Sequence, residues 1–479
     1  MRLAAAFVAA SFCASIAAAR ASPPNLTAAI DAAVRTRTLA GAHVGILAVD
    51  ATGGATLYAR DPDGDFVPAS TLKLIVGSAA LARLGPDFSF ITTVDASGPV
   101  AGGILHGDLY LRGGGDVQLT PGDLDAAAAA VAAAGIHQVA GALVADTTRY
   151  DAARYPPGWE IDDVPYGYAA VPGALGLDLN VAHLRVRPGD APGAPASLDV
   201  DPASSTFRIE NASITGPAGS DDTTDLARPW DRPDTIRVTG SYPMGAPPSD
   251  DLEPALPDPA AYAADIFQRA LAARGVTVRD AIRYGATPAD ATVVWTHRSK
   301  PLPAILRDCW PPSVNVIAEQ LLEELGAGSA ASAPGDVRAR GLAAELAWLQ
   351  TLGVNAGAVT LVDGSGLSSY DRITPRVLVA ALQADWRGPQ RAAVLAALPV
   401  AGVSGTLQTK FANPPLRGNV YAKTGSMNHA RLLAGYLRAK GGATVVFALM
   451  VNDWMDDSPH AESALDAFRA TVLTALASE

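Results

Sequence analysis

Val67-Pro68-Ala69-Ser70-Thr71-Leu72-Lys73-Leu74-Ile75-Val76 sets a serine and a lysine three residues apart where an apolar helix begins. Leu72, Ile75, Val76, Ala79 and Ala82 carry the helical period, and Gly85-Pro86 ends it. Positions i and i+3 share a helix face, so the Ser70 hydroxyl and the Lys73 amine come within hydrogen-bond reach. A hydroxyl held against an amine is a nucleophile with its own base. The first turn of a helix also offers free N–H groups and the positive end of the peptide dipoles, which stabilise an oxyanion. Composition sharpens this reading. Of the 36 basic residues only Lys73, Lys300, Lys410, Lys423 and Lys440 are lysines, so arginine serves almost wherever a positive charge is enough. Lysine can do what arginine cannot, which is to lose its proton when desolvated.

Two further short patterns follow in order. Ser313-Val314-Asn315 comes after Pro311-Pro312 and before a helical segment, which exposes its side chains on a loop. Lys423-Thr424-Gly425, followed by Ser426, ends a predicted strand. Side chains alternate along a strand, so one edge can present a hydroxyl and a charge to an extended substrate while glycine lets its backbone come close. Each pattern is short, and a second Ser-x-Asn occurs at Ser426-Met427-Asn428. The signal lies in the ordered trio.

Outward from these motifs, residues 1–21 read as an export signal. Arg2 precedes the apolar run Leu3 to Ala18, and Ala19-Arg20-Ala21 is a cleavage site of small residues. An exported, periplasmic or extracytoplasmic protein is expected. Phe12 before Cys13 does not suit lipid attachment, and no later stretch offers ~20 uninterrupted apolar residues, so no transmembrane anchor is expected. Loss of Cys13 leaves Cys309 as the one cysteine, which excludes a disulfide framework and a cysteine-based metal site. The seven histidines lack metal-ligand spacing, so neither a metal nor a cofactor is expected. A net charge of −12 argues against nucleic acid as a partner.

At 479 residues the chain exceeds one ordinary domain. A helix at Asn25 to Val34 and strands at His43 to Val49 and Ala55 to Ala59 lead into the Ser70 helix. Then follow a strand at Gly107 to Arg112 with Gly113 to Asp116 as its turn, an alanine-rich helix at Leu124 to Ala134, and a strand at Gly141 to Asp146. Between Arg187 and Pro259 short alternating segments sit among Pro, Gly, Asp and Ser, as in a small β-rich unit. Helical periodicity returns at Pro259 to Arg274, Val316 to Leu325, Val337 to Leu352 and Val377 to Ala384, the last capped by Thr374-Pro375. Strand-like runs at Asn419 to Ala422, Leu432 to Arg438 and Ala443 to Val451 precede a final helix with Leu465, Phe468, Val472 and Leu476 on one side. This order fits an α+β domain made of residues 22–90 and 256–479, interrupted by a mostly β insertion at 91–255.

Ser-x-x-Lys, Ser-x-Asn and Lys-Thr-Gly in this order resemble the penicillin-recognising serine enzymes, that is, penicillin-binding proteins and serine β-lactamases. The long gap between Ser70 and Ser313 narrows the resemblance, because β-lactamases have no room for such a block. So do Gly107 to Asp116 (GDLYLRGGGD), Asp363 to Leu367 (DGSGL), Thr374-Pro375-Arg376 and Ala401 to Leu407 (AGVSGTL). Together they look like the class C low-molecular-mass penicillin-binding proteins, the D-alanyl-D-alanine carboxypeptidases/endopeptidases. The resemblance implies a β-lactamase-like domain with helices around an antiparallel sheet, and a hydrolase of peptidoglycan stem peptides that β-lactam antibiotics acylate. It implies that Ser70 is the nucleophile and Lys73 its base. Ser313 would relay a proton to the leaving D-alanine, and Asn315 would orient Lys73 and the substrate amide. Lys423 and Thr424 would hold the terminal carboxylate, and the N–H groups of Ser70 and Ser426 would form the oxyanion hole. Asp146, in VADTTRY, resembles a position that recognises the amine of a diamino-acid side chain. Two positions depart from the pattern. Val314 stands where the family usually has Asp, and Ser369 follows DGSGLS where many relatives have Arg. A β-lactam-binding, catalytically weak scaffold is the alternative from another functional class. An esterase or β-lactamase using the same pair is disfavoured by the insertion.

Overall fold

The computed structural model describes residues 24–151, 155–328, 336–455, 458 and 460–479; the expected export signal at 1–21 lies outside the described residues. The two ends of the chain close one antiparallel sheet. Its strands run in the order Thr56–Arg60, His43–Asp50, Thr444–Asn452, Ala430–Arg438 and Val420–Met427. Alternation divides the side chains between two cores. Val446, Ala448 and Met450 face the layer that holds the Leu72–Leu84 helix, whereas Val445, Phe447, Leu449 and Val451 face the helices Pro24–Val34 and Ala461–Ala477. Because both faces are covered, the strand reads in sequence as an unbroken apolar run. The last strand of the sheet continues past the expected end at Ala422 to Met427, so Lys423 to Ser426 lie within an edge strand. Polar residues broke the apolar pattern there, but the backbone pairing does not depend on it.

The Ser70 helix is buried on every side from Leu72 to Leu81, as suits a helix with apolar residues all round. Gly77 makes room for Trp310, whose indole N–H donates to the Lys73 carbonyl at 3.0 Å.

Beyond Gly85 the chain enters the insertion. Its main sheet runs in the order Arg283–Tyr284, Leu143–Asp146, Leu109–Arg112, Ile91–Ala96 and Thr292–Arg298. Leu124, Ala127 and Val131 of the helix Pro121–Ala133, with Ala263 and Phe267 of the helix Pro259–Ala273, fill its core. Two three-stranded sheets from the segment between His183 and Leu252 join the same body. Thr292–Arg298 pairs with Ile91–Ala96, so strands from either side of the boundary expected at 255 share one sheet. Periodicity identified the helix at 259–273 but could not say which core its apolar face would meet. The glycines at 113 and 114 form no tight turn of a hairpin. A side chain there would collide with the carbonyls of Ala174 and Ile91, at 2.2 and 1.7 Å, so they serve close backbone packing.

Candidate active site

One 3₁₀ turn, Ala69–Thr71, starts the nucleophile helix. Ala69 holds φ at 43°, in the left-handed region that a residue with a Cβ seldom occupies. Ser70 is half-buried there, while Lys73 one turn on is completely buried. Lys73 Nζ lies 2.8 Å from Ser70 Oγ and donates to the Ser365 carbonyl at 2.7 Å. Burial pulls the Lys73 pKa down to about 8, against the opposing influence of Cys309, Asp363 and Glu319. A usable fraction of the amine is therefore neutral near neutral pH and can accept the serine proton.

Ser313 sits between Pro312 and the helix Asn315–Ala327 with φ at 68°. Its Oγ accepts a hydrogen bond from Lys423 Nζ at 2.8 Å, and the same amine donates to the Thr424 carbonyl at 2.9 Å. Lys423 is fully buried; burial, and then the charge of Lys73, push its pKa well below that of an ordinary lysine. The amine of Lys423, expected as a carboxylate anchor, is held by the Ser313 hydroxyl and the Thr424 carbonyl. Thr424 is half-buried with its hydroxyl 2.9 Å from that of Thr406, and Ser426 is exposed on the same strand. Thr406, in the AGVSGTL stretch, also donates its N–H to the Pro311 carbonyl at 3.1 Å, so this loop braces the Ser313 and Lys423 motifs together. At Gly425 a Cβ would come 2.9 Å from the Pro68 carbonyl. The glycine thus lets the edge strand lie against the turn that carries Ser70.

Asn315, expected to orient Lys73, donates its Nδ2 to the Tyr168 carbonyl at 2.7 Å, and the Lys73 amine donates to the Ser365 carbonyl. Val314, the departure from Asp, packs against the core below the nucleophile helix. The Cys309 thiol donates to the Val314 carbonyl at 3.4 Å, and burial pushes its pKa up to about 11, so it packs rather than reacts.

The Asp146 carboxylate, expected to meet a side-chain amine, is almost wholly buried and accepts from Thr148 N and Oγ1 at 2.9 and 2.6 Å and from Thr287 N and Oγ1 at 2.8 and 2.6 Å. Each oxygen thus accepts two hydrogen bonds, which tie the strand Leu143–Asp146 to the segment at Thr287. Ser369 is likewise engaged, donating its N–H to the Gly158 carbonyl at 3.2 Å.

The DGSGL stretch is wedged against the nucleophile turn. Gly366 has φ at 76°, and a Cβ there would stand 1.9 Å from the Ala69 carbonyl. Gly366→Ala is expected to cost about 3 kcal/mol in a thermal or urea melt and to slow acylation of Ser70, since the clash is relieved only by moving the turn that carries it. An unchanged melt would show that the turn can shift freely.

Sequence reading missed the wall facing this site. A cleft of about 430 Å³ is bounded by Ser313 and Asn315 on one side and by Tyr166, Tyr168 and Asp225 of the insertion on the other. The two tyrosine rings stack at 5.3 Å. Tyr168 contributes a backbone carbonyl, which carries no residue-type signal.

Residues 26–472 match the model of the D-Ala-D-Ala carboxypeptidase 3 (S13) family. The chain is 38% identical over 445 residues to the D-alanyl-D-alanine carboxypeptidase of Actinomadura sp. (strain R39), covering 90% of this chain and 81% of that protein. It is 27% identical to the D-alanyl-D-alanine carboxypeptidase DacB of Haemophilus influenzae over 86% of each. The crystal structure of penicillin binding protein 4 (dacB) from Haemophilus influenzae superposes with a TM-score of 0.84 at 25% identity, over 94% of this chain and 99% of that one. The same protein complexed with a novel β-lactam superposes with a TM-score of 0.78. The chain belongs to the D-Ala-D-Ala carboxypeptidase 3 (S13) family.

Proposed function

We propose that the protein is an exported serine D,D-peptidase that hydrolyses the D-Ala-D-Ala ends of peptidoglycan stem peptides, or the cross-links between them, through an acyl-enzyme on Ser70. The observation that carries this reading is Lys73 Nζ 2.8 Å from Ser70 Oγ, with a second hydroxyl–amine pair, Ser313 and Lys423, also 2.8 Å apart. Ser70 Oγ attacks the penultimate D-alanine carbonyl, and its proton passes to neutral Lys73. The C–N bond then breaks as the leaving amine takes a proton from Ser313, whose hydroxyl is resupplied from the neighbouring lysines. Water attacks the ester, its proton goes to the same base, and Ser70 is regenerated. Backbone N–H groups of Ser70 and Ser426 hold the oxyanion in both steps. Thr424, backed by Lys423, receives the terminal carboxylate. β-Lactams enter the same cycle and leave Ser70 slowly.

An export signal over residues 1–21 supports action outside the cytoplasm, and among the described residues no helix is long and apolar enough to cross a membrane. The test is release of D-alanine from a stem pentapeptide, or of monomers from a cross-linked dimer, with loss of both after treatment with penicillin. A fluorescent penicillin should map to the peptide carrying Ser70. Stoichiometric labelling without release of either product would leave binding alone, and a label on another residue would remove Ser70 as nucleophile.

A further inference from the structure

Behind Lys73 the fold buries Glu319, Glu345, Asp363 and Asp371 with no exposed surface. Carboxyl groups buried so close together are costly as charges unless each is held, so the arrangement of the held ones is informative. Glu319 lies four residues beyond Asn315, one turn along the same helix. Its Oε1 accepts from the Gly364 and Ser365 N–H groups at 2.9 and 2.8 Å, and its Oε2 accepts from Arg338 Nη1 at 2.6 Å. The other arm of Arg338 reaches Glu323 Oε1 at 2.9 Å. Asp363 grips the next turn of the same loop, accepting from Gly366 N at 2.6 Å and Ser368 N at 2.8 Å. Gly364 also lets this loop lie directly on the helix, where a Cβ would be 2.9 Å from the Ala318 carbonyl. The loop is thereby clamped from both sides, with the Ser365 carbonyl 2.7 Å from Lys73 Nζ.

We propose that Glu319 is a positioning residue for the general base: by holding the Gly364 and Ser365 amides it aims the Ser365 carbonyl at Lys73 and so turns the amine's lone pair toward Ser70. This rests on Lys73 being the base for Ser70. A neutral amine has two N–H bonds and one lone pair, and rotation about its Cε–Nζ bond would spread that lone pair over three directions. One N–H fixed on Ser365 leaves the lone pair free to face the Ser70 hydroxyl. The groups facing Lys73 are Cys309, Asp363 and Glu319, with Lys423 nearby. Around Glu319, burial and Asp363 push its carboxyl up, while Arg338 and Ser365 act the other way. Glu319 therefore acts on Lys73 twice, through the loop and through its charge, and two substitutions separate these actions.

The test is the rate of Ser70 acylation by a fluorescent penicillin across pH, at saturating and lower concentrations, with melts recorded for each variant. Glu319→Gln removes the charge that helps keep Lys73 protonated, so the acid limb of the rate profile is expected to move down by about one pH unit. Glu319→Asp keeps the charge but falls short of the loop. Its plateau rate is expected to drop roughly tenfold or more with the half-saturating concentration and the acid limb unchanged. An acid limb in Glu319→Gln that coincides with wild type, or a Glu319→Asp plateau within about twofold of wild type, overturns the proposal, as does failure of both variants to fold. If only one folds, its result decides. Absence of labelling in the wild type would instead sink the assignment of Ser70 and Lys73 itself.

Discussion

Lys73→Met is expected to slow β-lactam acylation of Ser70 by at least about 10³-fold while leaving the melting temperature within a few degrees of wild type. Methionine has nearly the length of lysine and is apolar, so it fills the same buried space beside Leu74 and Trp310 without the desolvation that burial imposes on an amine. One hydrogen bond is lost at the Ser365 carbonyl, which costs about 1 to 3 kcal/mol, and relief of the buried amine offsets much of that. What disappears is the amine that stands 2.8 Å from Ser70 Oγ and can take its proton. Lys73→Arg should be equally slow, because a guanidinium stays protonated at every accessible pH. The wild type should show the matching pH dependence. Its amine must be neutral to act as a base, so acylation rises with pH through about 8 and flattens above it. Below that point the slope approaches roughly tenfold per pH unit. Time courses with a fluorescent penicillin measure both; a Lys73→Met rate within about tenfold of wild type would assign the base to another group.

Asp363→Ala is expected to cost about 3 to 5 kcal/mol of stability and to abolish activity with it. The carboxylate is fully buried and accepts from Gly366 N, from Ser368 N and, at 2.8 Å, from the indole N–H of Trp159, which comes from the insertion. Truncation strands all of these donors in a site too enclosed for water to replace the lost acceptor freely. The effect spreads in two directions. The loop that presents Ser365 to Lys73 loses its anchor, and the insertion loses a hydrogen bond to the catalytic domain. Asp363→Asn keeps one oxygen and should lose roughly half as much. Urea melts of both variants give the two values. Equal, small losses would mean that the loop is held by its glycine packing alone.

Some of this protein is local and was therefore legible. Ser70 and Lys73 meet because one helical turn brings positions i and i+3 together, which needs no knowledge of the rest of the chain. The buried strands were visible as apolar runs, and the final helix as one apolar face, because both periods are properties of the backbone itself. The order of the three motifs was enough to suggest the family. Other features depend on contacts that close over long stretches of sequence. Lys423 reaches Ser313 across 110 residues, and Lys73 reaches Ser365 across 292. The second of these ends on a backbone carbonyl, an acceptor that every residue carries and that leaves no mark in composition. Asp146 accepts from Thr287, 141 residues further on, a partner that nothing near Asp146 in the sequence announces. The strands Ile91–Ala96 and Thr292–Arg298 were not marked in the sequence, and a strand's sequence does not name its partner in any case. The sequence by itself determined which chemistry the chain suggests and many of the segments that are helix or strand, through short-range geometry. Only the tertiary structure decided which polar groups remain available to a ligand, because burial and long-range pairing are set by how those segments pack.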